Sequence, residues 1–83
     1  MDDMERKQII RDFFKEKRKK EVPADDVNLF ENGFVDSLFA IEIVLFLERE
    51  FKIKIKNKDI TKENFKDIDH ICEVVAKSKS KKK

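Results

Sequence analysis

One glycine, one proline, one cysteine and one histidine are spread over 83 residues, and each scarcity removes a class of chemistry. A single glycine excludes the glycine-rich loops that cradle phosphates. A single cysteine excludes an internal disulfide, so packing alone must hold together a single domain with a small core. It also points to a reducing, cytoplasmic setting. One cysteine and one histidine do not complete a zinc site. No apolar run is long enough for a membrane span, and "MDDMERKQII" at the start has no basic-then-apolar signal pattern. No internal repeat is present.

Charge is abundant, and its distribution matters more than its sum. The formal net charge is +2, but "KSKSKKK" at residues 77–83 holds five lysines and no acid. The rest of the chain has 15 basic and 18 acidic residues, a net of −3. The stretch from Glu21 to Glu50 sets eight acids against Arg49 alone, a net of −7. A partner that docks there should present a basic surface. The lysine run has no apolar residue to bury and reads as a disordered tail, which divides the chain into a domain at 1–76 and a tail at 77–83. No basic recognition helix accompanies the tail, so nucleic-acid binding is not expected.

Hydrophobic spacing predicts an all-α fold. Residues 3–19 carry Ile9, Ile10, Phe13 and Phe14 at i,i+3 and i,i+4 distances on an otherwise charged helix, which Pro23 follows. "VPADDVNLFENGFVD" has turn formers and no sustained period, so residues 21–36 read as a long loop. Val27, Leu29, Phe30 and Phe34 should pack it down, and Gly33 should supply a positive φ. Residues 37–51 read as the central helix, with Asp36 as N-cap. "KIKIKNK" at 52–58 alternates like a strand but has no apparent partner, so an extended loop with Ile53 or Ile55 turned inward is expected. A short helix near Asn57–Thr61 and a last helix from about Asp67 to Lys77 complete the reading. Asp67 caps that last helix, and Ile68, Ile71, Cys72 and Val75 face inward. The sum is a small irregular four-helix bundle, three main helices and one short one, with a long first loop.

The stretch "FENGFVDSLFAIEIVLFLEREF" places Ser37 at the mouth of the most apolar segment. A nucleophilic serine needs a base held by a third group. The one histidine, His70, lies on the last helix and reads as an exposed helix residue. As an attachment point Ser37 is better placed. The first turn of a helix has backbone N–H groups without intrahelical partners and the positive end of the dipole, which favour an anion such as a phosphoryl group. The run behind it is too apolar to be buried whole, since positions 38, 39, 41, 43, 44, 45, 46 and 47 cover most of the helix circumference. Ile43, Val44, Leu47 and Phe51 should be core, with at least Phe39 or Phe46 partly exposed.

Asp36-Ser37-Leu38, the downstream Ile41-Glu42-Ile43-Val44, and Leu47-Glu48 followed by Phe51 resemble the acyl carrier protein family. "NLFENGFVDS" and "TKENFKDIDHICEVV", with Asn64-Phe65, are similar to the family's flanking stretches, so that the resemblance covers roughly residues 5–76. It implies a stand-alone carrier that is not itself an enzyme and is a monomer. Ser37 would bear 4'-phosphopantetheine, added from coenzyme A by a phosphopantetheinyl transferase, and the arm's thiol would carry an acyl or aminoacyl group as a thioester. Loading and processing enzymes with basic docking surfaces would meet Asp36, Glu42 and Glu48 around an apolar centre of Leu38, Ile41 and Leu45, with Phe39 also at the docking face. Family members that serve fatty acid synthesis usually have Asp after the tripeptide and are acidic overall, whereas Phe39 and a basic tail stand here. That departure implies a carrier for a secondary pathway in lipid or polyketide biosynthesis, or an aminoacyl carrier of the D-alanyl type. An unmodified helical docking module is the remaining alternative.

Overall fold

Local capping sets the helix boundaries. The computed structural model describes residues 2–80, which form three α-helices, α1 (Asp3–Arg18), α2 (Ser37–Phe51) and α3 (Ile68–Ser80), with one 3₁₀ turn at Asn57–Asp59 between the last two. Among the described residues there is no strand. Asp2 caps α1 by accepting the Glu5 N–H at 2.9 Å, and α1 runs from an acidic first turn to a basic last turn, both favourable to its dipole. Asp36 caps α2 through the Phe39 N–H at 2.8 Å, and Asp67 caps α3 through the His70 N–H at 2.7 Å. Helices α1 and α2 each end on a lysine in the left-handed region, Lys19 and Lys52, both at φ 55°. Glycine usually takes that position.

The long loop is fixed to its surroundings at both ends. Arg11 on α1 donates to the carbonyls of Val22 and Pro23 and pairs with Asp25 at 2.9 Å. The Asp25 carbonyl accepts the Asp69 N–H at the start of α3, and Lys7 of α1 pairs with Asp69 at 2.8 Å. Further on, Leu29 donates to the Lys66 carbonyl at 2.6 Å. The Asn28 side chain accepts the N–H groups of Phe30 and Glu31, and Gly33 turns the chain at φ 80°. Leu29, Phe34 and Val35 are buried, while Val27 and Phe30 are half-buried, so the loop is part of the core's wall.

One core joins all these segments: Ile10 and Phe14 from α1, Leu29, Phe34 and Val35 from the loop, and Ile43, Val44, Leu47 and Phe51 from α2. Ile55 joins them from the segment after α2, Phe65 from the segment before α3, and Ile68, Ile71, Val74 and Val75 from α3. The arm that follows the left-handed Lys52, residues 53–56, runs without helix or strand and is extended at Lys56. Glu48 of α2 accepts the Ile53 N–H on its carbonyl and the Ile55 N–H on its carboxylate at 3.0 Å, and Ile55 is the more deeply buried of the two isoleucines. Cys72 is buried beside Asp3, and burial pushes its thiol pKa up.

The last helix runs further than expected. It continues through Lys77 and Ser78 to Ser80, where the sequence reading began a disordered tail at residue 77. Lysines at a helix C-terminus oppose no dipole, which favours the extra turn. Residues 81–83 of that expected tail lie outside the described residues.

Candidate functional site

Ser37 is the first residue of α2 and is exposed. The cap from Asp36 goes to Phe39, and Ala40 donates to the Asp36 carbonyl. Among the described hydrogen bonds, none takes up the N–H groups of Ser37 and Leu38. The first turn of α2 holds no acidic residue, in contrast to α1 and α3. An oxyanion attached to the Ser37 hydroxyl would therefore meet free donors and the positive end of the dipole, with the Asp36 carboxylate as the one like charge beside it.

Two apolar features adjoin this hydroxyl. The first is a stripe on the solvent side of α2. Leu38 is 70% exposed, and Ile41 and Leu45 are each 57% exposed. Their i, i+3, i+7 spacing puts them in one line along the helix, with Glu42 exposed next to it. The second is an open groove of about 270 Å³ with Ser37 at its rim, lined by Phe30, Ala40, Ile41, Val44, Ile60 and Phe65, with Thr61 and Lys62 at its edge. Lys62 sits 5.7 Å from the Phe30 ring centroid, within cation–π reach.

Most of the expected site residues lie together at this end of α2. Asp36, Ser37, Leu38, Ile41, Glu42 and Leu45 are all exposed. Glu48 is half-buried, and one of its oxygens holds the arm, so it is only in part available to a partner. Phe39 is a correction. It is 3% exposed rather than set at the docking face. Its ring lies 5.7 Å from that of Phe14 and 6.0 Å from that of Phe13, and the Arg18 guanidinium covers it at 4.8 Å. Position 39 faces the side chains of Phe13, Phe14 and Arg18 from the second half of α1, a tertiary fact that the apolar run does not encode. Of Phe39 and Phe46, the half-buried one is Phe46, stacked on Phe13 at 3.9 Å.

His70 is half-buried, not a freely exposed helix residue, and its Nδ1 lies 2.7 Å from Asp67 Oδ1. The same carboxylate caps α3, so this pair belongs to the helix start. Among the described residues no hydrogen bond links His70 to Ser37, and no cluster of three His, Cys, Asp or Glu could hold a metal ion. No described helix is long and apolar enough to cross a membrane. The reading by spacing missed the far wall of the groove, Ile60 with Thr61 and Lys62. Its one sign was an isolated isoleucine, 38% exposed, in the polar stretch "NKDITKEN". Comparison with protein-family models, with curated proteins and with solved structures finds no match to this chain.

Proposed function

We propose that this domain is a carrier, with Ser37 the attachment point for 4'-phosphopantetheine and no catalytic machinery of its own. The observation that carries the reading is the exposed Ser37 hydroxyl at the N-terminus of α2, whose first turn holds no acid beyond the Asp36 cap, flanked by the stripe and the groove. The residues fit the group. The unpartnered N–H groups of Ser37 and Leu38 suit its phosphodiester, and the groove beside them suits the apolar part of a cargo. When bound, the group supplies a thiol on a long arm that holds an acyl or aminoacyl unit as a thioester.

What the chain itself contributes is presentation. Leu38, Ile41 and Leu45 form an apolar centre, and Asp36 and Glu42 form an acidic edge, the arrangement expected of a surface that meets basic partner enzymes. Partners of that description are the transferase that modifies Ser37 and the enzymes that load and process the cargo. The burial of Phe39 bears on the pathway. A position that carries an acid in fatty-acid carriers is here packed under α1, which removes one charge from the docking edge and favours a specialised role over a housekeeping one. Incubation with coenzyme A and a broad-specificity phosphopantetheinyl transferase should add one prosthetic group, and Ser37→Ala should abolish the addition. A wild-type chain left unmodified by several such transferases refutes the reading.

A further inference from the structure

Two lysine tracts have no part in the carrier reading, "KIKIKNK" at 52–58 and the end of α3. The fold brings them together. An open groove of about 500 Å³ lies where the arm passes the last turns of α3, lined by Lys52, Ile53, Lys54, Lys56, Asp59 and Lys77, with Ser78 beside them. Lys54 and Lys56 alternate with Ile53, which is half-buried, and Ile55, which is buried, so their amines emerge on the side opposite the core, and Lys52, the left-handed cap of α2, joins them at the groove. All three lysines and Lys77 are exposed, and no ion pair among the described residues takes up any of them. Asp59 is the single acid in the lining. Compensation of helix dipoles accounts for Lys52 and Lys77, which lie at helix ends, but not for Lys54 and Lys56, which lie past the end of α2.

We propose that this lysine groove docks the molecule on an anionic lipid surface, independently of whether Ser37 is modified. The chemistry of the lining selects the partner. Lysine meets phosphate as a point charge, without the fork geometry that reads base edges. No arginine, amide or aromatic side chain lines the groove, so neither base readout nor base stacking has a platform. A phosphate-dense plane requires neither, and clusters of four or more lysines are drawn to anionic leaflets. Charge then sets the orientation. Asp36 and Glu42, in the first half of α2, are repelled by the same surface, and Ser37, at the other end of α2 and about 22 Å away along the helix axis, is left facing solution.

The test is flotation of the full chain with phosphatidylcholine vesicles, with and without about one-third phosphatidylserine. Binding should require phosphatidylserine and fall as salt rises. Lys54→Gln and Lys56→Gln should each weaken it about 5-fold, and the triple variant with Lys52→Gln about 100-fold, with the helical circular dichroism spectrum unchanged. Any of three results overturns the proposal: no binding to anionic vesicles at low salt, full binding by the triple variant with loss only on deleting residues 81–83, or tighter binding to duplex DNA than to the vesicles.

Discussion

Asp36 has two neighbours whose fates differ, and neither is decided by Asp36 alone. Its carboxylate accepts the Phe39 N–H and so starts α2 at Ser37, where the hydroxyl is free. Asp36→Ala should cost about 1 kcal/mol of stability, the usual worth of an N-cap, measurable as a lower urea midpoint at unchanged slope. Phe39, two residues past the serine, is a core residue. Phe39→Ala should cost about 3–5 kcal/mol, because it opens a cavity against Phe13 and Phe14 and uncovers Arg18. A loss near zero in a urea titration would place Phe39 at the surface instead. The caps at Asp36 and Asp67 were legible in the sequence because capping is local, a short polar side chain next to an apolar run. The burial of Phe39 was not legible, because it depends on which side chains of α1 meet it.

Helix α2 has two apolar faces with different duties. Ile43, Leu47 and Phe51 are buried with Val44 against the rest of the bundle, while Leu38, Ile41 and Leu45 stand in solvent. Ile41→Gln should therefore change stability by less than about 0.5 kcal/mol. It should also lower kcat/KM of a phosphopantetheinyl transferase acting on Ser37 by about 10-fold, the scale of one lost interface anchor. A stability loss of several kcal/mol, with transferase kinetics intact, would mean the stripe is structural. That α2 is over-supplied with apolar residues was visible in its composition, and Ile43, Val44, Leu47 and Phe51 are core as assigned, while Phe39 is a core member that the assignment left out. The arm at 52–56 was legible only in part. Its alternation is real, with Ile55 inward and lysines outward, but its hydrogen bonds go to Glu48 rather than to a strand. The continuation of α3 to Ser80 had no apolar marker at all.

Taken whole, the molecule is held by one apolar core and fastened at its edge by Lys7, Arg11, Asp25 and Asp69, which tie α1, the long loop and α3 together. The hydrogen bond to Asp69 raises the Lys7 pKa, and burial raises that of the Cys72 thiol. In both cases the folded state holds its proton more tightly than the unfolded chain. The stability this confers is fully present below the ordinary pKa and is lost as pH rises through the raised one. The urea midpoint should therefore be flat near neutrality and fall above about pH 8.5, the ordinary thiol range, and further through the lysine range. In Cys72→Ala the earlier part of that fall should disappear. A midpoint that rises with alkaline pH would contradict the assignment.

The carrier reading stands or falls on one bond. Intact-protein mass spectrometry after incubation with coenzyme A and a broad-specificity phosphopantetheinyl transferase should show a single added prosthetic group on the wild-type chain, mapped to the peptide containing Ser37, and none on Ser37→Ala. An unmodified wild-type chain, or a group on any other residue, would contradict it.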